Sequence, residues 1–267
     1  MEKTRFVFVI LVYRNTGDLA ECIESIERHV KSFRIVVVNA FYDGESMNKA
    51  EGIARLHRCE FLNIENKGYS YGNNRGVELA NKLFDYEYLV ISNPDIVIEL
   101  FDDEVLRPAT EYDIIAPRIV AASGKEQNPM AIKKNRISQY IQYVGFKNRC
   151  NLLVYLGVFL SKAYRWVNQI TTSRNHFGLL PIYEAHGSFV IISKKAERVL
   201  YPIYDENMFL FAEEGVLASK AQKSGLKTFY YEGIRVMHKE DGSMKLGDIV
   251  ENEELRKANI YCYEHYE

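Results

Sequence analysis

The sequence predicts an α/β fold with a mostly parallel central sheet flanked by helices, and three observations carry that expectation. Short β-branched and aliphatic runs alternate with stretches of helical periodicity over the first hundred residues. The runs are apolar throughout instead of at every second position, as strands covered on both faces require. Polar loops follow them, and in an open sheet of this kind ligands gather at the carboxyl ends of the strands.

The elements follow in order. The run "RFVFVILVY" reads as the first strand. Lys3 and Arg5 flank its start, but Arg14 ends it and no small-residue cleavage site follows, so a core strand is expected and not a signal peptide. In "GDLAECIESIERHV", Leu19, Cys22, Ile23 and Ile26 share one helical face. "FRIVVVNA" is a second strand closed by the polar turn "YDGES", and "CEFLNIE" is a short third. "SYGNNRGVELANKLF" carries Val77, Ala80 and Phe84 at helical spacing, and "YEYLVISN" is a fourth strand. Later, a helix enters at Glu213 and Glu214 and leaves at Gly225, followed by two strands, "LKTFYY" and "IRVMH".

Composition limits the function. A chain of 267 residues, nearly half apolar and with net charge −2, can bury one large core or one core plus a small subdomain. Cys22, Cys59, Cys150 and Cys262 have neither metal-site nor disulfide spacing, which points to reduced thiols and a cytoplasmic setting. The longest later apolar run, Leu152 to Leu160, is about half of the roughly 20 residues a membrane-spanning helix needs.

Five places hold residues suited to chemistry, and each has a plainer reading. Asn93 and Asp95 end the fourth strand, where an acid either meets a ligand or caps a turn. Asn15, Thr16 and Asp18 of "YRNTGD" suit a helix cap as well as a nucleotide. The stretch "NKGYSYGNNRG" has more glycine than one tight turn needs, so a ligand-facing loop competes with a simple turn. Glu213 and Glu214 fit the positive end of a helix dipole, balanced by Lys220 and Lys223. His238 fits a hydrogen-bonded structural histidine as readily as a ligand.

Taken in order, "VFVILVYRN", "VVVNAFYDG", "NKGYSYGNNRG", "ISNPDIVI", "APRIV…GKEQNP", "HGSFVIISKKA", "DENMFLFAEEGVLASKAQKSGLKTFYY" and "VMHKEDGS" resemble glycosyltransferase family 2, near its rhamnosyltransferase-like branch. The resemblance implies a GT-A fold in one catalytic domain. Residues 1–100 would form the nucleotide-sugar half, 101–243 the acceptor half with a helical insertion at 131–180, and 244–267 a tail. It further implies an inverting transfer of rhamnose or another hexose in surface polysaccharide synthesis, from a dTDP- or UDP-sugar to a saccharide or lipid-linked saccharide. Asp95 and His238 become candidate ligands for Mg²⁺ or Mn²⁺, hard cations that favour carboxylate oxygen and phosphate. Glu214, or its neighbour Glu213, becomes the catalytic base. Val12, Tyr13, Asn15, Asn39, Asn66, Gly68, Tyr69, Asn74 and Asn93 are implied beside the nucleotide-sugar, and His186 and Gly187 in the acceptor pocket.

The sequence also departs from that pattern. Val38 stands where the family commonly has an acid, and "ASKAQK" replaces a frequent arginine, leaving Lys220 as a point charge. A catalytically impaired sugar-nucleotide-binding or scaffold protein is therefore a rival reading. Nucleotidyltransferase and dehydrogenase chemistry would each want a glycine-rich loop after the first strand, which "YRNTGD" lacks.

From Gln127 to Tyr183 there is no Asp or Glu, while Lys133, Lys134, Arg136, Lys147, Arg149, Lys162, Arg165 and Arg174 supply eight positive charges. With a net charge of −2, the remainder sums to about −10. Interleaved with apolar stretches, this resembles basic amphipathic helices on an anionic membrane face. Helices packed on the acceptor half with a solvated basic face are the alternative. No nucleic-acid-binding module accompanies the charge.

Overall fold

Phe6, Val7, Phe8, Val9 and Ile10 are all fully buried because strand β1 (Glu2–Val12) is covered on both faces. The computed structural model describes residues 2–106, 112–175, 178–239 and 252–267. Strand β1 pairs in parallel with β2 (Phe33–Phe41) on one side and β4 (Phe84–Ser92) on the other, and β3 (Glu60–Glu65) extends the parallel array beyond β2. Alternation along β1 sorts the core into two layers. Phe6, Phe8 and Ile10 pack with helices α1 (Leu19–His29) and α2 (Gly44–Leu56), whereas Val7 and Val9 pack with α3 (Tyr69–Leu83).

The second half completes the same sheet. Its strands are β5 (Ile96–Phe101), β6 (Ile114–Ala121), β7 (Leu180–Ile182), β8 (Phe189–Ser193) and β9 (Thr228–His238), and the order is β3-β2-β1-β4-β8-β6-β9-β5, with β7 on β9. β8 runs antiparallel between β4 and β6, and β6 and β9 are parallel again. This is the mixed α/β architecture with flanking helices that the sequence predicts.

Two local expectations change. "LKTFYY" and "IRVMH" are one continuous strand, β9, with a register shift opposite Pro117 and Arg118. Gly233 lies in the irregular stretch, and a Cβ there would lie 2.2 Å from the Tyr231 ring as it is placed. The glycine-rich "NKGYSYGNNRG" is a loop only as far as Gly68, because α3 begins at Tyr69. Gly72 and Gly76 lie inside that helix, where hypothetical Cβ atoms would come within 2.5 Å of Leu11 and 2.4 Å of Val9. They bring helix and sheet close together, which accounts for the surplus glycine.

The basic segment forms a helical hairpin, α4 (Arg136–Lys147) and α5 (Asn151–Thr171). Gly145 against Val154 and Gly157 against Gln142 permit close approach, and Ser161 donates to Ser138 at 2.8 Å. Half of its positive charge is matched by acids from outside it: Lys134 with Glu267, Lys147 with Glu264, Arg149 with Glu253 and Arg174 with Glu232. Lys133, Arg136, Lys162 and Arg165 form no ion pair among the described residues. No described helix is long and apolar enough to cross a membrane.

The remaining helices are α6 (Lys194–Leu200), α7 (Glu213–Lys223) and α8 (Glu253–Tyr266). Of the tail, residues 244–251 lie outside the described residues, while α8 docks within the chain. Cys262 packs with Met208 and Val216, and Tyr263 stacks on Tyr143 at 4.3 Å. All four cysteines are unpaired.

Because the Val9 and Val38 side chains leave no room for a methyl group on α3, Gly76→Ala should destabilise the chain by about 1–3 kcal/mol. Urea unfolding will read this as a lower midpoint at unchanged slope.

Candidate functional site

The site begins where β4 and β8 stop pairing. Their register ends at Ser92 opposite Phe189, and just beyond it the Asn93 N–H donates to the Ser188 carbonyl at 2.8 Å. β5 then starts with Ile96 opposite His238. Asp95, in the short turn between, is thereby brought against a histidine 143 positions later: Asp95 Oδ2 lies 3.1 Å from His238 Nε2. Both side chains are buried.

The far nitrogen of that ring defines the chemistry. His238 Nδ1 lies 2.8 Å from Gln127 Oε1, and a carbonyl oxygen only accepts, so Nδ1 carries a hydrogen. Nε2 faces the Asp95 carboxylate. A carboxylate oxygen and an imidazole nitrogen 3.1 Å apart are donor types that a divalent ion accepts, but both side chains are buried and the distance is equally that of a closed ion pair. Among the described residues no group of three or more His, Cys, Asp or Glu side chains that could hold a metal ion is present.

The acid pair is placed by strain. Phe211 and Ala212 precede α7 with φ of 75° and 63°, left-handed values that cost L-residues about 1–2 kcal/mol each. Ala212 supplies no side-chain cap. The turn sends Glu213 inward, 5% exposed and with Oε1 unpartnered, and burial followed by the charge of Glu214 raises its pKa to about 8. Glu214 instead reaches Gly187, whose N–H donates to Oε1 at 3.2 Å. The Gly187 carbonyl accepts from the Tyr69 hydroxyl at 3.0 Å. A Cβ at Gly187 would sit 2.8 Å from the same Glu214 oxygen, so glycine keeps the carboxylate in place.

Glu213, Glu214, His186, Gly187, Tyr69 and Asn93 line one cavity of about 720 Å³. Asp95 and His238 do not line it. They stand behind His186, whose ring centroid is 5.7 Å from that of His238. His186 Nδ1 accepts from the Ser188 N–H at 3.2 Å, which leaves its hydrogen on Nε2. Burial lowers the His186 pKa, against the upward pull of Glu214 and Asp95, so the ring is neutral at neutral pH.

The other expected binding residues lie apart from this cavity. Val12 and Asn39 are register partners at the ends of β1 and β2. Asn39 donates to Asn63 at 2.7 Å, and its own oxygen is buried without a partner. Tyr13 is exposed and packs edge-on to Tyr42, over which Arg14 lies at 4.2 Å. Asn15 donates to Asp18 and accepts from the Gly17 N–H. Asn66 accepts from the Gly68 N–H, and Gly68, at φ +100°, sits against the Phe209 carbonyl. Asn74 is buried, and its amide exchanges hydrogen bonds with the Tyr204 backbone and donates to Glu206. Asn66, Gly68 and Asn74 thus join the third-strand loop to the segment leading into α7.

Lys220 is turned away from the site. Its ammonium donates to the carbonyls of Leu200, Pro202 and Ile203, so it does not replace the missing arginine. Residues that sequence reasoning passed over include Glu184, which lines the cavity and has a pKa raised to about 8 by burial, Glu214 and Glu267 in that order. Lys125 lines it too. Glu184 belongs to no motif and Lys125 falls in the stretch "GKEQNP"; only the folded chain brings the two to one cavity.

Comparison with known proteins adds to this geometry. GalNAc-T7, solved with UDP, GalNAc and Mn²⁺, superposes with a TM-score of 0.62 at 11% identity, over 98% of this chain and 48% of its own. The fold is the GT-A fold. TarS of S. aureus superposes with a TM-score of 0.52 at 13% identity, over 88% of this chain and 37% of its own. In sequence, the low-salt glycan biosynthesis hexosyltransferase Agl10 of Haloferax volcanii is 25% identical over 177 residues, 65% of this chain. The chain spans about half the length, 49%, of that curated relative. No protein-family model matches it.

The buried Glu213 makes a stability prediction. Its folded pKa lies above the ordinary 4.5, so the folded state keeps a proton that the unfolded chain gives up, and stability falls as pH rises from about 4.5 to about 8. Glu213→Gln should flatten urea-unfolding stability across that window and raise it most at the alkaline end, with Glu184 leaving a residual slope of the same sign.

Proposed function

We propose that the chain is an inverting glycosyltransferase that moves a hexose, rhamnose being one candidate, from a dTDP- or UDP-sugar to a saccharide or lipid-linked saccharide in surface polysaccharide synthesis. The observation that carries this reading is the Glu214 carboxylate, seated on the Gly187 N–H at 3.2 Å and opening into a 720 Å³ cavity. The GT-A fold and the hexosyltransferase relative support the same class of reaction.

In the proposed reaction the acceptor hydroxyl enters the cavity and loses its proton to Glu214 as its oxygen bonds to the anomeric carbon. The bond from that carbon to the diphosphate oxygen breaks in the same displacement, so the anomeric centre inverts. Glu213 is protonated at neutral pH, which leaves Glu214 as the member of the pair able to take a proton. Asp95 and His238, which lie behind His186 and do not line the cavity, are the residues that would hold Mg²⁺ or Mn²⁺, and such an ion would supply positive charge to the departing diphosphate. Val12, Asn39 and the exposed Tyr13, Arg14 and Tyr42 group are proposed for the nucleoside. The reading includes a peripheral contact of residues 131–180 with an anionic membrane.

A second reading, a sugar-nucleotide-binding or scaffold protein, is favoured by one feature. Val38, where the family commonly has an acid, is fully buried, and Asn39 is tied to Asn63.

Transfer from a nucleotide-sugar should fall by about 10²–10⁴-fold in Glu214→Gln while UDP or dTDP binding with Mn²⁺, measured by calorimetry, is retained. Asp95→Asn should weaken the Mn²⁺-dependent part of that binding. Full activity in Glu214→Gln would remove the proposed base, and binding without any transfer by the unaltered chain would favour the scaffold reading.

A further inference from the structure

The outer face of α5 is apolar and open. Leu152, Leu156, Phe159, Ala163, Trp166 and Ile170 recur every three or four residues, and these and Val167 are all exposed. The face packed on α4 is a different one, carrying Val154, Gly157 and Ser161. A globular helix buries its apolar stripe; this one buries the small and polar side and leaves the apolar side outward.

The surrounding charge selects the occupant. Ser161 against Ser138 places the start of α4 beside the middle of α5, which gathers the unpaired Lys133, Arg136, Lys162 and Arg165 at the end of the hairpin that carries Trp166 and Ile170. Lys133, Lys162 and Arg165 also line the cavity that holds Glu214. Elsewhere the chain carries about −10, so an anionic surface attracts this end and repels the rest, fixing one orientation. A second copy stacked symmetrically on the same face would set these cations against their own images.

We infer that the α4–α5 hairpin is a membrane foot: the outer stripe of α5 lies in the lipid–water interface of an anionic leaflet, with Lys162 and Arg165 meeting lipid phosphate at the mouth of the cavity. The acceptor is then a saccharide carried on a lipid, delivered to Glu214 without leaving the bilayer surface. This rests on the transferase reading for the role of the cavity. The docking itself does not.

Trp166 is the single tryptophan of the sequence and is 65% exposed, so its emission reports the stripe directly. Phosphatidylcholine vesicles containing phosphatidylglycerol should shift that emission to shorter wavelength and carry the full chain upward in a flotation gradient. Phosphatidylcholine alone, or glycerol phosphate in solution, should do neither. The double variant Phe159→Glu/Ile170→Glu should bind the anionic vesicles at least about tenfold more weakly with unchanged circular dichroism. Lys162→Gln/Arg165→Gln should lose much of the dependence on phosphatidylglycerol.

An unshifted Trp166 with anionic vesicles overturns the inference. So does a concentration-dependent shift without lipid accompanied by a dimer in sedimentation, which would assign the stripe to a second copy. A chain that binds UDP with Mn²⁺ yet ignores vesicles refutes only the foot; one that floats yet binds neither UDP nor dTDP refutes only the transferase.

Discussion

The antiparallel insertion of β8 between β4 and β6 is the constraint on which the site depends. It ends the pairing at Ser92 and Phe189, and the Asn93-to-Ser188 hydrogen bond continues it by one step. Chain that is nearly a hundred residues apart is thereby fixed within bonding distance, with the Asn93–Asp95 turn on one side and His186–Ser188 on the other. Strand β9, which lies beyond β6, ends at His238, which faces Asp95. Without β8 in that slot the carboxylate–imidazole pair and the Gly187–Glu214 contact would have no common frame.

Electrostatics inside that frame divides the acids by burial. Glu213 and Glu214 are adjacent in sequence, yet the strained turn at Phe211 and Ala212 sends one into the protein and the other to Gly187. The surroundings of the buried one hold its proton up to about pH 8. Asp95 is equally buried, but it has a nitrogen of His238 in front of it.

Much of the architecture was legible in the sequence because parallel strands covered on both faces must be continuously apolar. "RFVFVILVY" and "FRIVVVNA" became β1 and β2 with that pattern. The glycines of "NKGYSYGNNRG" were harder to read, since the same residue type serves a loop at Gly68 and a helix–sheet contact at Gly72 and Gly76. Gly233 hid the continuity of β9 in the same way. Asp95 and His238 could be nominated from their places at strand ends, but their 3.1 Å approach depends on strand order, which a linear pattern does not encode. The neutral state of His186 and the cavity position of Glu184 arise wholly from packing.

Helix α8 has one further consequence. It touches α7 through Cys262, near Gly215 and Val216, and touches α4 through Tyr263 on Tyr143 and Glu264 on Lys147. The helix that bears Glu214 and the hairpin that bears the outward stripe are therefore braced by one shared strut. A force that tilts the hairpin is borne by the same strut that steadies the base, so anchorage and catalytic alignment are mechanically coupled.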